Sequence, residues 1–516
     1  MLELSLDDYI MAIDIGTQSV RAMVFDGNGN EIANERVLNE PYYSLNPGWA
    51  EVPADDFWQN VCIVTNRVCK ELKEDINKIK ACSITANRDN IIPLDKDGNY
   101  IRDWIIWMDQ RRVPEAVKDA RNQIKGKNKI IHTFGKSFFD MLSNRSKFNW
   151  FKYHEKDTYD RAYKYLTLGG LITYKFTGNY HDAVGMQVGV LPFNIEKLAW
   201  YDLDIVYEII GVRRDQLAKL FHAGEIMGYV TEKASIETGL PVGLSIIAAG
   251  GDKQCETLGS GFFSDEQATI SYGTLATIAI TSKKFVKDRK FSYYTWPSSI
   301  PHAWNPEFYI DRGYWLVTWF CKQYAIEEDF PKLLNEMNEK AKDIPPGSNG
   351  LFVYPFWAPH YVLYPDAKGA IIGLTDAHTK EYLYRAILES IAYALRNGFE
   401  IIQGQIKNKT KEIYIVGGGS KSDVAMQLTA DIFNIKTIRL QTHEVCAVGA
   451  AIAAGIGSGI FKDEEDGIKK MVKVDKVFYP IPKNTKIYDD IYKNVYKNFY
   501  KVSKPITDVL SKYGNL

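Results

Sequence analysis

The stretch that decides the fold is YIMAIDIGTQSVRAMVFD, residues 9–26. An apolar run enters a turn at Gly16 and Thr17, and alternating apolar residues lead out of it again. This pattern is typical of two antiparallel strands joined by a short connection. The Gly-Asn-Gly-Asn run at residues 27–30 supplies a further turn. The segment therefore predicts a β-hairpin followed by a second turn.

A similar stretch, ISYGTLATIA at residues 270–279, lies about half a chain length further on. It matches the first hairpin at an Ile, at the Gly-Thr turn and at a later Ala. Two strand–turn–strand elements at corresponding positions of two halves suggest a duplicated domain. Each half also mixes strand and helix patterns, which favours α/β layers. We therefore predict two domains, residues 1–262 and 263–516.

Helical spacing of apolar residues adds detail to both halves. Residues 54–72 and 158–177 show it in the first half, and residues 379–403 show it in the second. Near the end, residues 486–513 repeat large apolar side chains about every four positions. That last segment fits a helix packed on its own domain or a helix that binds a partner, with the first interpretation favoured.

Composition excludes several classes of protein. The 516 residues carry 63 Lys and Arg against 64 Asp and Glu, without the basic excess of a dedicated nucleic-acid binder. The apolar runs are far shorter than the roughly 20 residues that span a bilayer, and the acidic N-terminal segment does not resemble a secretory signal. Six scattered cysteines form no CxxC pair, which favours reduced thiols. We expect a cytoplasmic protein.

The first hairpin carries polar groups suited to phosphate chemistry. Gly16 lets the backbone approach a phosphate, Thr17 and Ser19 can donate hydrogen bonds to its oxygens, and Asp14 could hold Mg²⁺ through water. The alternative is an ordinary hairpin whose polar residues only satisfy the turn. The second copy of the turn, at residues 273–274, favours the phosphate interpretation.

A glycine run marks a second candidate for nucleotide binding. Gly418 and Gly419 lie between the strand-like segment EIYIV, residues 412–416, and a predicted helix that begins near Asp423. A glycine-rich turn at a helix N-terminus favours anionic groups. A tight strand-to-helix turn without a ligand is the alternative.

Asp252 follows LSIIAAGG, residues 244–251, a pattern typical of a buried strand that ends in two glycines. A carboxylate at the end of a strand is well placed to act as a general base toward a hydroxyl. The same Asp also suits a helix N-cap, since the segment that follows is helix-forming. The two interpretations are compatible.

Arg88 and Asp89 follow an apolar strand-like segment, and Trp107 comes about twenty residues later. A cation and a carboxylate beside an indole ring could bind vicinal hydroxyls, with the ring covering the apolar face of a sugar. A surface ion pair near a core tryptophan is an equally good explanation of the spacing.

Taken together, these motifs resemble the FGGY family of carbohydrate kinases, within the actin-like ATPase superfamily. The resemblance covers nearly the whole chain. It implies an α/β fold with two ribonuclease H-like domains flanking a deep catalytic cleft. The motifs that carry it, besides residues 9–26, are PGWAEVPADDFW (47–58), NRDN (87–90), WMDQRR (107–112), GGDKQ (250–254), SYGTLATI (271–278), KGAIIGL (368–374), RAILES (385–390) and VGGGSKSD (416–423).

The resemblance also implies roles for particular residues, with ATP and Mg²⁺ as cofactors. Asp252 corresponds to the catalytic base, and Asp14 lies near the metal. Residues implied in the first phosphate loop are Gly16, Thr17, Gln18, Ser19 and Arg21. Residues implied at the nucleotide are Gly273, Thr274, Gly313, Gly418, Gly419 and Asp423. Residues implied at the substrate are Arg88, Asp89, Trp107 and Lys253.

This sequence departs from the family pattern at several positions. Asp89 is shorter than the Glu of glycerol kinases, which suggests a different or larger polyol. Lys253 replaces a frequent Gln or Asn beside the base. The Met-His pair common in xylulose kinases is absent at residues 88–89, and residues 356–364 form an unusually aromatic loop.

The expected reaction is ATP-dependent phosphorylation of a hydroxyl of a small sugar or polyol, by a protein that is a possible homodimer or homotetramer. Two other functions compete with it. One is a non-catalytic sugar or nucleotide sensor, and the other is an actin-like ATPase that acts on a protein partner. The presence of both Asp14 and Asp252 disfavours the sensor. The Arg-Asp pair disfavours the ATPase, which has no need to bind a sugar.

Overall fold

The computed structural model describes residues 7–126, 136–261, 264–288, 290–360 and 362–513. The chain divides into two units. The first comprises Met1–Gly259, Trp296–Ala303 and Glu444–Val472, and the second comprises Ser260–Thr295, Trp304–His443 and Lys473–Leu516. The domain boundary expected between residues 262 and 263 lies outside the described residues and stays a prediction. The two short segments that join the first unit are discontinuous in sequence, which the expected division did not include.

The strands and helices are numbered in chain order. The strands are β1 (Tyr9–Ile15), β2 (Ser19–Asp26), β3 (Glu31–Leu38), β4 (Glu51–Val52), β5 (Ile79–Ala86), β6 (Ile92–Leu94), β7 (Trp104–Ile105), β8 (Lys164–Leu166), β9 (His181–Ala183), β10 (Phe193–Asn194), β11 (Ala199–Trp200), β12 (Lys219–Phe221), β13 (Ile226–Tyr229), β14 (Ser245–Gly251), β15 (Gln267–Tyr272), β16 (Ala276–Ile280), β17 (Tyr294–Pro297), β18 (Trp304–Ile310), β19 (Phe352–Tyr354), β20 (Ala370–Ile372), β21 (Glu412–Val416), β22 (Lys436–Leu440) and β23 (Val474–Phe478). The helices are α1 (Asp56–Leu72), α2 (Pro114–Ile124), α3 (Lys136–Arg145), α4 (Lys147–His154), α5 (Lys156–Arg161), α6 (Leu168–Thr177), α7 (Asp204–Ile210), α8 (Glu232–Thr238), α9 (Asp252–Gly259), α10 (Trp315–Tyr324), α11 (Phe330–Ala341), α12 (Lys380–Gln403), α13 (Asp423–Phe433), α14 (Val445–Ser458), α15 (Glu464–Met471), α16 (Pro482–Ile491) and α17 (Lys497–Leu510).

The first unit is built on a six-stranded sheet in the order β13-β14-β5-β1-β2-β3. Strands β1, β2 and β3 form an antiparallel meander, and β5 and β14 run parallel to β1. The edge strand β13 is antiparallel to β14. Asp14 lies opposite Arg21 on β2 and opposite Thr85 on β5, so the central strand carries its carboxylate close to both neighbours.

The second unit repeats this arrangement in a sheet of order β17-β18-β16-β15-β21-β22-β23. Strands β15, β16 and β18 are the antiparallel meander, β21 and β22 run parallel with β15, and β23 is antiparallel at the edge. Six strands of each sheet therefore correspond one to one. The predicted duplication and the predicted pair of ribonuclease H-like domains are confirmed.

Helix α14 explains why a late segment of the chain belongs to the first unit. It packs on β1, β5 and β14 and against α9. A Cβ added at Gly259 would lie 1.9 Å from the carbonyl oxygen of Val445, and one at Gly449 would lie 2.0 Å from the carbonyl oxygen of Cys255. Only glycine permits the two helices to cross at this separation. Helix α14 covers one face of the sheet at β1, and the buried run Ile10–Ile13 of that strand is apolar, as expected for a strand covered on both faces.

The core of the second unit lies around helix α12. Sixteen of its side chains are buried, and Tyr488, Tyr492 and Tyr496 from the C-terminal segment pack into the same core. The prediction of a helix that packs on its own domain is therefore confirmed for this segment. Helix α17 has no fully buried residue, but its Phe499 and Tyr500 are partly buried and pack against the same core.

One helix prediction is wrong. Residues 158–177 do not form one helix, because β8 interrupts them and pairs with β6 in an antiparallel ladder. Helix α6 then begins anew at Leu168, where the Thr167 side chain accepts a hydrogen bond from the Gly170 N–H. In the described part of the chain no helix is long and apolar enough to cross a membrane. All six cysteines are free.

Candidate active site

The first unit places Asp14 at the carboxyl end of β1, directly before the turn predicted to bind phosphate. Gly16 N–H donates to the carbonyl oxygen of Ser19 at 3.0 Å and closes the turn. The Asn39 side chain supports it from outside, donating to the carbonyl oxygens of Gly16 and Thr17 at 2.9 and 3.2 Å. The turn is therefore held by its own backbone and by one amide from the end of the meander.

The Asp14 carboxylate has several charged side chains close to it. Burial, together with the negative charges of Asp252, Glu444 and Glu256, raises its pKa to about 7, against the lowering effect of Arg21. The Arg21 guanidinium lies 4.0 Å from the Asp14 carboxylate and is ion-paired with Glu444. The cluster holds more carboxylates than cations close to Asp14, so a bound cation would be stabilised there.

A magnesium ion fits this environment in one specific way. Among the described residues no group of three or more His, Cys, Asp or Glu side chains is arranged to hold a metal ion. Magnesium in phosphoryl-transfer sites is usually held by one or two carboxylates together with substrate phosphates. Asp14, a largely buried carboxylate with unfavourable neighbouring charges, is suited to that limited role.

Asp252 is the first residue of α9 and follows the two glycines that end β14. Its Oδ1 accepts the Lys253 N–H at 2.7 Å and lies 3.3 Å from Nε of Arg88. About a third of its side chain is exposed. The carboxylate satisfies a backbone N–H of the first helical turn and remains accessible, which is compatible with both predicted roles, and the role as general base stays a prediction.

Gly251 is required by the approach of Arg88. A Cβ at Gly251 would lie 2.6 Å from Cγ of Arg88 and 2.8 Å from Oε1 of Gln254. The guanidinium Nη1 of Arg88 and the Oε1 of Gln254 are both buried and have no hydrogen-bond partner among the described residues. Buried polar atoms normally have partners, so this donor and this acceptor beside Asp252 are suited to a ligand with both kinds of group.

Lys253 has a protein partner. Its ammonium lies 2.9 and 3.0 Å from the two carboxylate oxygens of Glu256, one helical turn further along α9. Burial lowers its pKa, but the charges of Glu256 and Asp252 outweigh burial and the pKa is raised overall. Lys253 is therefore a cation held by Glu256 beside Asp252, and its predicted contact with the substrate stays a prediction.

Asp89 adopts a left-handed backbone conformation, with φ of 58°. Its carboxylate lies 3.0 Å from Nζ of Lys147, which also contacts the Asp89 carbonyl oxygen. A Cβ at the adjacent Gly189 would lie 2.3 Å from Oδ1 of Asp89. A non-glycine residue with positive φ is uncommon outside special sites, and here a buried lysine and a glycine stabilise it.

Trp107 links two predicted groups of residues. Its ring is half exposed, and its Nε1–H donates to Oγ1 of Thr17 at 3.0 Å. Its backbone N–H donates to Oδ1 of Asn90 at 3.1 Å. A predicted sugar contact and a predicted phosphate-loop residue are therefore hydrogen-bonded to each other.

The second unit holds the other predicted turn. Tyr314 N–H donates to the carbonyl oxygen of Gly273 at 2.9 Å, and Trp315 N–H donates to that of Thr274 at 3.2 Å. A Cβ at Gly313 would lie 2.4 Å from Cβ of Ala276, so the start of α10 approaches the hairpin closely only because Gly313 is glycine. The structure thus brings Gly273, Thr274 and Gly313 together.

The glycine run at residues 417–419 lies beside the same hairpin turn. Gly417 has φ of 81°, and a Cβ there would lie 2.9 Å from the carbonyl oxygen of Tyr272, the last residue of β15. A Cβ at Gly419 would lie 2.2 Å from the ring of Tyr314, whereas one at Gly418 would meet nothing within 4 Å. Gly418 therefore faces open space beside the hairpin turn, as a nucleotide-binding position requires.

Asp423 begins α13 but is not free. Its carboxylate oxygens lie 2.6 Å from the Arg439 guanidinium and 2.7 Å from the Lys476 ammonium. Burial raises the pKa of Asp423, but hydrogen bonds from Lys476 and Arg439 more than offset it and lower the pKa overall. The carboxylate is ion-paired on the rim of this region, and its predicted place near adenosine stays a prediction.

Sequence reasoning missed four residues that the structure adds to the first unit: Lys147, Gln254, Glu256 and Glu444. Lys147 is 58 residues from Asp89 in sequence, and no local pattern indicates that pairing. Glu256 lies one turn beyond Lys253, a spacing that could have predicted the ion pair. Glu444 is distant in sequence from Arg21, and no local pattern indicates that pairing.

Two units with the same sheet, each with a polar turn between its first two strands, define the class of actin-like phosphotransferases. A family model described as the FGGY family of carbohydrate kinases, N-terminal domain, matches residues 9–259. The corresponding C-terminal domain model matches residues 268–458. The chain belongs to the FGGY family of carbohydrate kinases and is an enzyme that transfers phosphate.

Individual proteins agree with this assignment. The chain is 30% identical over 493 residues to an uncharacterized sugar kinase, YgcE, of Escherichia coli strain K12, covering 93% of this chain and 91% of the relative. It is 26% identical to the xylulose kinase of Bacillus subtilis strain 168, covering 93% and 94%. A crystal structure of xylulose kinase from Rhodospirillum rubrum has the same fold, with a TM-score of 0.84, 21% identity, and coverage of 97% and 100%.

Proposed function

We propose that this chain transfers the γ-phosphate of ATP to a hydroxyl of a small sugar or polyol, with Asp252 as the general base. The observation that carries this proposal is the arrangement around Asp252. Its accessible carboxylate lies 3.3 Å from Arg88 Nε, and a buried donor and a buried acceptor without partners stand beside it. A sugar hydroxyl and its neighbours offer both missing kinds of hydrogen-bonding group.

The proton and electron movements follow from this arrangement. The substrate hydroxyl donates its proton to a carboxylate oxygen of Asp252 while its oxygen forms a bond to the γ-phosphorus. The bond between that phosphorus and the bridging oxygen breaks, and ADP leaves with the electron pair. General-base assistance of this kind contributes roughly 10²–10⁴-fold to a rate.

The remaining residues of the proposed site would position the reactants and neutralise the charge of the phosphates. Thr17, Ser19 and the backbone of their turn would bind phosphate oxygens, a role that the family resemblance also implies for Gly273 and Thr274. Asp14 would hold Mg²⁺ largely through water, and the ion supplies charge neutralisation on the phosphates when bound. Arg88 would donate to a substrate oxygen through Nη1, and Asp89, fixed by Lys147, would accept a second hydroxyl.

Relatives named xylulose kinase support a small sugar as substrate, and the Arg-Asp pair at residues 88–89 suits a polyol with adjacent hydroxyls. We propose a ketopentose, a tetritol, glycerol or a closely similar compound. Six free cysteines and the need for ATP support a cytoplasmic location. A homodimer or homotetramer is proposed on family resemblance alone.

The test is ADP release with ATP and magnesium across a panel of polyols, ketoses, aldoses and sugar acids. Asp252→Asn should retain ATP binding and lose turnover by roughly 10²–10⁴-fold. The matched control Asp204→Asn, an exposed residue at the start of α7, should turn over like the parent protein.

Three results would contradict the proposal. Full activity of Asp252→Asn would remove that residue from the base role. ADP release that does not depend on any sugar would favour an ATPase that acts on a protein partner. ATP binding with no turnover on the whole panel would favour a sensor.

A further inference from the structure

A lysine-lined cavity lies in the second unit, away from the predicted nucleotide turns. Its volume is about 670 Å³, within the range of small-molecule sites. It is formed by the start of β15, the loop after β16 and the loop between α12 and β21. The other ends of strands β15, β16 and β21 lie beside Gly273 and Gly417. The cavity and the nucleotide turns therefore occupy opposite edges of one sheet.

Four lysines line this cavity: Lys283, Lys284, Lys287 and Lys407. All four are exposed, and none forms an ion pair with a carboxylate of the residues that the structure describes. The one acidic side chain in the lining, Asp265, accepts a hydrogen bond from Asn408 at 2.9 Å. A chain with a net charge of −1 thus concentrates unpaired positive charge at one concave place. Concave clusters of one sign attract ions of the other sign.

The wall of the cavity is not polar throughout. Val286 is buried, and Phe285 and Ile406 are half-buried. The Phe285 ring packs against Trp304 with 5.9 Å between centroids, so its position is fixed. A ligand that suits the site therefore combines an anionic group for the lysines with an apolar or aromatic part for these side chains.

We propose that this cavity binds an organic phosphate with an apolar or aromatic portion, separately from the ATP and sugar sites. Phosphate matches several lysines, because it carries up to two negative charges on three accepting oxygens. The inference does not rest on the role of Asp252. Its failure would leave the kinase proposal unchanged, and the two are measured by different assays.

The direct test is equilibrium dialysis of 1-naphthyl phosphate against the full chain, with the nucleotide site saturated by a non-hydrolysable ATP analogue and Mg²⁺. We expect one bound equivalent, weaker binding of inorganic phosphate, and no comparable binding of neutral 1-naphthol. Affinity should fall as salt is raised, because exposed charges are screened.

The pocket variant is Lys283→Glu/Lys287→Glu, and the matched control is Lys322→Glu/Lys332→Glu, which makes the same charge change on α10 and α11 of the same unit. The pocket variant should bind 1-naphthyl phosphate at least about tenfold more weakly, and the control should stay within about twofold of the parent. ADP release in the presence of the sugar substrate reports separately whether each variant is folded.

Two outcomes would overturn the proposal: equal affinity in the pocket variant and the control, or equally tight binding of 1-naphthol. Co-sedimentation with phosphatidic acid vesicles distinguishes the source of the phosphate. A soluble ligand predicts that the protein stays in the supernatant. Sedimentation that the pocket variant loses would instead assign the bound phosphate to a lipid headgroup.

Discussion

Nε of Arg88 lies 3.3 Å from Oδ1 of Asp252, while Nη1 of the same guanidinium is buried and has no partner among the described residues. The Arg88 side chain thus contacts the proposed base and also carries an N–H donor that has no partner among the described residues. Arginine can do both because its planar fork carries several N–H groups in fixed directions, whereas lysine offers one compact charge. This relationship would place Arg88 between the proposed base and the proposed substrate.

Removing the guanidinium should therefore affect binding and turnover together. For Arg88→Met we expect kcat/KM for the sugar to fall roughly 100-fold with a higher KM, because a charged hydrogen bond contributes about 1.5–3 kcal/mol. Arg88→Lys should recover only part of the loss. Arg67→Met, at an exposed position of α1, is the control and should change neither constant. A normal KM in Arg88→Met would show that Nη1 does not reach the substrate.

The hydrogen bond from Trp107 to Thr17 predicts coupling between the sugar and the phosphate turn. Trp107→Phe keeps an aromatic ring and loses the N–H donor, and Thr17→Val loses the acceptor. Each should raise the KM for ATP by about 2–10-fold, consistent with one hydrogen bond of 0.5–1.5 kcal/mol. The double variant should resemble Thr17→Val alone, because the bond that Trp107→Phe removes is already missing there. Strictly additive effects in this cycle would contradict the coupling.

The local features of the fold could be predicted from the sequence. The hairpin at residues 9–26 alternates with period two around a Gly-Thr turn, and helix α12 repeats its apolar residues at helical spacing. Each pattern is encoded within one segment, so neither needs knowledge of the rest of the chain. The duplicated sheet followed from recognising the same turn twice.

Long-range pairing could not be predicted in the same way. The return of α14 to the first unit depends on Gly259 and Gly449 fitting against backbone atoms of the partner helix. The ion pairs of Glu444 with Arg21 and of Lys147 with Asp89 join residues far apart in sequence. Residues 158–177 keep an apolar spacing that suits a helix, yet pairing with β6 makes their centre a strand. In each case the arrangement is determined by contacts between segments that are far apart in sequence.

Asp182 predicts a pH dependence of stability. Burial raises its pKa from 3.8 to about 6, although hydrogen bonds from Thr167, Gln187 and the Ala183 N–H act in the opposite direction. The folded state therefore binds this proton more tightly than the unfolded state does. The stabilisation is complete below pH 4 and is lost as the pH rises through about 6, by roughly 3 kcal/mol in total.

Asp182→Asn removes that titration and keeps an acceptor for Thr167. The difference in thermal midpoint between Asp182→Asn and the parent protein should shift in favour of the variant between pH 5 and pH 8. Asp204→Asn, which is exposed, should show the same pH profile as the parent. Parallel profiles for Asp182→Asn and the parent would mean that Asp182 is already ionised at pH 5.

The glycine run offers a test in which neighbouring residues serve as variant and control. At Gly419 an added Cβ would lie 2.2 Å from Cζ of Tyr314, whose ring packs against Tyr272 with 4.9 Å between centroids and whose backbone N–H binds the Gly273 carbonyl oxygen. At Gly418 the same Cβ meets nothing within 4 Å. Overpacking of a well-packed contact typically costs about 1–3 kcal/mol.

Gly419→Ala should therefore lower the thermal midpoint by several degrees and weaken ATP binding, because Tyr314 must move and takes the Gly273 turn with it. Gly418→Ala should leave the thermal midpoint unchanged, and any loss of ATP affinity in that variant would come from the methyl group facing the nucleotide. Differential scanning fluorimetry with and without ATP and Mg²⁺ separates the two effects. Equal midpoints for the two variants would show that Tyr314 yields without moving the turn, and would remove it as the residue that ties the glycine run to the hairpin.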